Sequence, residues 1–214
     1  MAKLLASGCL HQPLTAVLGT RAKVAVLRIL WRATTPIAYR EVVRRSGMAY
    51  GSVDLALGDL TAIGIVAEEE GGRERRVRLR TSHRLGASLA ALFQVEADFF
   101  AALRIELRTL AQAGFHDGLL TAAIVGAVAR REELLGGEIE LLLIASDPAS
   151  RTRSVDRFNA AGGMLNERFG ARLRLVSYDL TTARGMWRTR TPAAERKVQE
   201  AELLVGTPPL ELLA

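Results

Sequence analysis

Apolar residues recur at steps of three and four through residues 20–33. Val24, Leu27 and Trp31 share one face with Leu30 beside them, and Arg21, Arg28 and Arg32 fall mostly opposite. That spacing predicts a helix, with Thr20 placed to cap its first turn. The stretch TTPIAY, which contains Pro36, reads as a break. A short second helix is predicted over 39–45 with Val42 and Val43 inward, then a tight turn at 46–51. A third helix follows over 52–63, where Val53, Leu57 and Leu60 share a face. Gly64 is placed to end it in the left-handed conformation. The run from Ile65 to Arg80 alternates about Gly71 and Gly72 and predicts a hairpin turning there. From His83 to Ala113 there is no proline. Leu85, Leu89, Leu92, Phe99, Leu103, Leu107 and Leu110 form one stripe, which predicts a long connector helix capped by Ser82 and ended by Gly114.

Beyond residue 114 the period changes. LLTAAIVG (119–126), EIELLLIA (138–145) and RLRLVSYDL (172–180) are apolar runs of strand length. The segment 154–170 has helical spacing, with Val155, Phe158, Leu165 and Phe169 inward and Gly162–Gly163 as a weak point. Pro192 suits the first turn of a further helix over 191–201, and ELLVG closes the domain. The chain therefore reads as α+β in two domains. An N-terminal arm spans 1–15, a helical module with a hairpin 16–82, the connector helix 83–114, and a C-terminal α/β domain with a mixed sheet 115–214.

Charge sharpens this division. Of the 214 residues, 29 are Lys or Arg and 23 are Asp or Glu. Residues 16–85 hold 13 of the former and 7 of the latter, so the whole net charge of +6 sits in that third. A polyanion partner is implied for the first domain and not the second. The single cysteine, Cys9, excludes an internal disulfide framework and fits a reducing compartment. With one Cys and three scattered His, a zinc site is not expected. The N-terminal apolar run is too short for a good signal peptide. No run of about 20 apolar residues is read as spanning a membrane, so a cytoplasmic protein is expected. The arm, with Cys9 and Pro13, carries no assignable role.

Arg40-Glu41-Val42-Val43, the Ser46-Gly47 turn, Val53, Leu57 and Leu60, and the exit Gly64-Ile65-Val66 stand in the order of a winged helix-turn-helix. Residues 20–82 resemble the winged-helix domains of bacterial transcription regulators. The resemblance implies double-stranded DNA as partner. On the second hairpin strand Val77 and Leu79 face inward, leaving Arg76, Arg78 and Arg80 on the other face, with Arg73 and Arg75 near the tip. Arg40, Arg44 and Arg45 of the second helix and Tyr50 and Ser52 at the start of the third complete the candidate DNA contacts. The third helix itself carries Asp54 and Asp59 and no Lys or Arg, which opposes a polyanion.

The C-terminal pattern Val125-Gly126-Ala127, a gap of ten, then Glu138-Ile139-Glu140-Leu141 is similar to the minimal nucleotidyltransferase domain of the DNA polymerase beta superfamily, over residues 117–207. Regulators with a winged helix ahead of such a domain are a known arrangement. In that family a glycine turn approaches the triphosphate, and two carboxylates at i and i+2 share Mg²⁺ with a third from a neighbouring strand. This sequence departs from the pattern. Ala127 has no hydroxyl, Glu138 pushes its carboxylate out by about 1.5 Å relative to Asp, and Arg174 aligns with the missing carboxylate. The resemblance with these departures implies the fold without the activity, so Gly126, Ala127, Glu138, Glu140 and Arg174 are candidate relics. No metal site and no cofactor are expected. The expectation is a DNA-binding regulator whose second domain serves dimerisation, partner binding or effector sensing, with a homodimer through the connector helix. Two alternatives stand beside it. One is an active Mg²⁺-dependent nucleotidyltransferase of toxin–antitoxin type; the other is a protein-interaction module.

Overall fold

The computed structural model describes residues 17–71, 74–133 and 137–214. The N-terminal arm, with Cys9 and Pro13, lies outside them. The chain divides into two compact units between Ala97 and Asp98.

In the first unit, helices α1 (Arg21–Leu30), α2 (Tyr39–Ser46) and α3 (Tyr50–Ala62) pack with strands β1 (Ile37–Ala38), β2 (Val66–Gly71) and β3 (Glu74–Leu79). The sheet order is β1-β3-β2, antiparallel throughout. Thr20 caps α1 by accepting from the Lys23 N–H. Gly64 follows α3 at φ +81°, a conformation that side chains with a Cβ rarely adopt. The core joins Val26, Leu27 and Leu30 of α1, Val42 of α2, Val53, Leu57 and Leu60 of α3, and Val77 and Leu79 of β3.

Three expectations change here. The TTPIAY break contains β1, which pairs with β3; two residues are too few to show an alternation. The buried face of α1 is Ala22, Lys23, Val26, Leu27 and Leu30, with Val24 and Trp31 only partly covered. The face is rotated by about one residue because Lys23 is buried and a charged residue is not counted as core. Gly71 is strand rather than turn, since it pairs with Glu74.

Helix α4 (Gly86–Phe115) starts three residues later than the stripe suggests and passes through Gly114. Ser82 is not part of it. Leu89 and Phe93 belong to the core of the first unit, and Leu103, Leu107 and Ala111 to that of the second. Leu92 and Phe99, placed on the same stripe by sequence, are exposed. Among the described residues α4 alone is long and apolar enough, by length and composition only, to cross a membrane.

The second unit holds a four-stranded mixed sheet of order β6-β5-β4-β7: β4 (Leu119–Val125), β5 (Glu138–Ala145), β6 (Arg172–Asp179) and β7 (Glu202–Gly206). β4 is antiparallel to both neighbours, while β5 and β6 are parallel and joined by α5 (Pro148–Phe169). Ile139, Leu141 and Leu143 pack with Phe158 and Leu165 of α5. Leu142 and Ile144 pack on the other face with α6 (Leu180–Arg188), α7 (Pro192–Gln199) and α8 (Pro209–Leu213). With both faces covered, β5 reads as a continuous apolar run.

Helix α5 begins six residues before its apolar spacing does. Asp147 accepts from the Ser150 N–H and Pro148 occupies the first turn, so a capping signal, not periodicity, marks the start. The Gly162–Gly163 pair does not break it. Helices α6 and α8 were not anticipated: one is nine residues long and the other five, too short for a stripe to stand out.

Candidate functional site

In the first unit, the two carboxylates of α3 are committed within the fold. Lys23 Nζ lies 2.8 Å from Asp59 Oδ2, with the Lys23 side chain only 2% exposed. Tyr39 donates its hydroxyl to Asp54 Oδ1 at 2.6 Å. Burial, then that hydrogen bond to a carboxylate, pushes the Tyr39 phenol up from its ordinary range. Arg75 bridges the same cluster. Its guanidinium lies 4.0 Å from Asp54 and 2.5 Å from Glu68, and its Cζ stands 5.1 Å from the Tyr39 ring centroid. Both acids therefore face a proton donor or cation of this chain.

Most of the candidate DNA-contacting arginines also have partners. Arg44 and Arg45 share Glu41 at 2.6 and 2.5 Å, and their guanidinia hold the Glu41 carboxyl down to about 2. Arg40 lies 3.5 Å from Glu74, and Arg78 pairs with Glu69. Arg76, Arg78 and Arg80 are exposed on β3 or just after it, while Val77 and Leu79 are buried. Tyr50, Ser52 and Leu55 are exposed on α3. Arg73 lies outside the described residues.

In the second unit, the sequence-predicted residues converge around one carboxylate. β4 ends at Val125, and Gly126 turns the chain at φ +76°. The turn is closed by the Glu132 N–H donating to the Ala127 carbonyl at 2.8 Å. The antiparallel register sets Val125 opposite Glu140, and the parallel register sets Arg174 opposite Glu140 and Arg172 opposite Glu138. Glu140 is 16% exposed. One oxygen lies 3.1 Å from Arg174 Nη1 and the other 2.5 Å from Lys197 Nζ. Glu138 is exposed at the strand start. Asp179 is the last residue of β6. Its side chain caps α6 by accepting from the Thr182 N–H and hydroxyl, which holds its carboxyl below the usual range.

Lys197 was missed. It lies 57 positions from Glu140 on a helix signalled in sequence by Pro192, and nothing local ties it to β5.

A Cβ placed on Gly126 would stand 2.5 Å from Glu140 Oε2. Gly126→Ala therefore combines a left-handed backbone with a collision against a held carboxylate. The expected loss is at least about 1–2 kcal/mol from the backbone alone, read as a lower urea midpoint. An unchanged midpoint would show that the turn relaxes freely.

No known protein family matches the chain, and no curated protein matches its sequence. Solved structures similar to it include a mutant of the toxin–antitoxin MntA–HpeT. It is 15% identical with a TM-score of 0.32, over 51% of this chain and 80% of that one. A toxin–antitoxin structure with AMP-PNP is 13% identical with a TM-score of 0.30, over 50% and 80%. At these scores the likeness assigns neither fold nor function. Among the described residues, no three His, Cys, Asp or Glu side chains group closely enough to hold a metal ion.

Proposed function

We propose that this chain is a DNA-binding transcription regulator, with a winged helix-turn-helix as its first unit and a catalytically degenerate nucleotidyltransferase-like domain as its second. The observation that carries the DNA reading is the commitment of Asp54 and Asp59. In sequence these carboxylates oppose a polyanion at α3. Folded, one is paired with buried Lys23 and the other hydrogen-bonded by Tyr39 beside Arg75. Six arginines nearby, Arg40, Arg44, Arg45, Arg76, Arg78 and Arg80, are exposed, alongside Glu68, Glu69 and the half-exposed Asp54. Phosphates would be met by the hairpin arginines and α2, and the groove by Tyr50, Ser52 and the glycine-lined face of α3. The test is anisotropy of a labelled duplex at low salt. Binding is expected, and Arg76→Ala with Arg80→Ala should weaken it; no binding by the intact chain would overturn the proposal.

The degenerate reading of the second unit rests on Glu140. Its two oxygens are taken by Lys197 and Arg174, and a cation stands where a third carboxylate would be needed. That donor set does not fit Mg²⁺. Transfer from labelled nucleotide that Glu140→Gln abolishes would overturn it.

A homodimer belongs to the same proposal. Leu92, Val95 and Phe99 recur on α4 at steps of three and four and are exposed, the pattern of a helix seam that would pair two DNA-binding units. Sedimentation should give a dimer, and Leu92→Glu with Val95→Glu a monomer. A second functional reading, a protein-interaction module, draws on Leu55 and Tyr50, which are 69% and 61% exposed on α3. It predicts that Leu55→Lys strengthens rather than weakens any residual DNA binding.

A further inference from the structure

The second unit contains a cavity of about 320 Å³ between the sheet and helices α6 and α7. Leu142, Ile144 and Val176 form its floor, and Met186, Trp187 and Val198 its walls. The floor residues belong to the face of β5 and β6 that also carries Glu140 and Arg174. The cavity opens to solvent past Met186, which is half exposed, and its volume falls at the lower end of the range for sites of small organic ligands.

The charged groups lining this cavity are of one sign, beside the neutral hydroxyls of Tyr178, Thr189 and Thr191. Among the described residues Arg190 and Lys197 line it and no carboxylate does. Arg190 is held in place: its Cζ stands 4.3 Å from the Trp187 ring centroid, and it donates to the Trp187 carbonyl at 3.0 Å. Its other contact, with Glu195, is 3.3 Å long. Lys197 spends one donor on Glu140 and has three. An apolar chamber with two fixed cations and no lining acid suits an apolar body with a single anionic head. It does not suit a neutral apolar molecule, which leaves the cations unused, or a polyphosphate, which the apolar floor cannot solvate.

We infer that this cavity binds a small apolar monocarboxylic acid, its chain against Leu142, Ile144 and Val176 and its carboxylate at Lys197 and Arg190. The inference stands apart from the DNA-binding proposal, since neither its residues nor its readout involve the first unit.

The chain has two tryptophans, so Trp31→Phe leaves Trp187 as the sole reporter. Hexanoate, octanoate, octanol and octylamine are titrated against it, with calorimetry of octanoate on the unaltered protein as a check independent of that substitution. Octanoate should change Trp187 emission saturably and bind about fourfold more tightly per added methylene than hexanoate. Octanol should bind about tenfold or more weakly, and octylamine more weakly still. Lys197→Met and Arg190→Met should each shrink the preference for acid over alcohol. Ala194→Phe, at an exposed position lining the cavity, should abolish binding. No saturable response at millimolar octanoate would overturn the inference. So would octanol binding as tightly as octanoate, or a preference that survives both cation substitutions.

Discussion

Replacing Asp59 with alanine is expected to destabilise the first unit by about 3–5 kcal/mol. The size follows from what is left behind. Lys23 lies on the buried face of α1 at 2% exposure, and its ammonium has Asp59 Oδ2 at 2.8 Å. Without the carboxylate the charge stays in the core or the helix must shift to hydrate it, and both are costly. Asp59 is itself 31% exposed, so water can partly replace it, which sets the expectation toward the lower end. Asp59→Asn keeps an acceptor and should cost less. Lys23→Met with Asp59→Leu removes both charges and should recover most of the loss, because an apolar pair of similar volume needs no desolvation. Urea unfolding followed by Trp31 emission in a Trp187→Phe background reports this unit, since Trp31 packs against its core. A loss below about 1 kcal/mol, the scale of an exposed pair, would mean that Lys23 is not committed in this way.

This pair also shows how far the sequence could be read. The helices α1, α2 and α3 were legible because Leu27, Leu30, Val42, Val53, Leu57 and Leu60 recur at helical steps, and all six are buried. Lys23 was not legible. It occupies a core position, but its residue type argues for solvent, and the ion pair with Asp59, 36 residues later, helps make its burial tolerable. The same holds in the second unit. β4, β5 and β6 announce themselves as apolar runs, and the alignment of Arg174 with Glu140 follows from two strands read in parallel. Lys197 reaches Glu140 from α7, so its role depends on how a helix docks on the sheet, and no local spacing encodes that. The hairpin arginines were read as free for phosphate. In fact Arg75 and Arg78 are held by Glu68 and Glu69 of the facing strand. Cross-strand pairs of opposite charge are the ordinary consequence of Glu68 and Glu69 meeting Arg75 to Arg78 in one ladder.

Those pairs set the second large expectation, the salt dependence of duplex binding. Six exposed arginines face the proposed DNA, but Glu41, Glu69 and Glu74 pair with four of them. If every pair holds on binding, the six arginines less the three glutamates leave a net charge of three, so about three phosphates are neutralised; if DNA displaces the glutamates, about six. The slope of log K against log salt should then lie between roughly −3 and −5, and an about fourfold rise in salt should weaken binding about 60- to 1,000-fold. The variants separate the two cases. Arg76 and Arg80 have no ion pair among the described residues, so alanine at each should flatten the slope by about 0.9. Arg78→Ala should do so only if Glu69 releases it, whereas Glu69→Gln should steepen the slope by freeing Arg78. A slope near zero with binding intact would assign the contact to apolar α3 residues such as Leu55 and remove the arginine face from the interface. A slope of the expected size that ignores Arg76 and Arg80 would move the phosphate contacts to other exposed cations, Arg40, Arg44 and Arg45 of α2 among them.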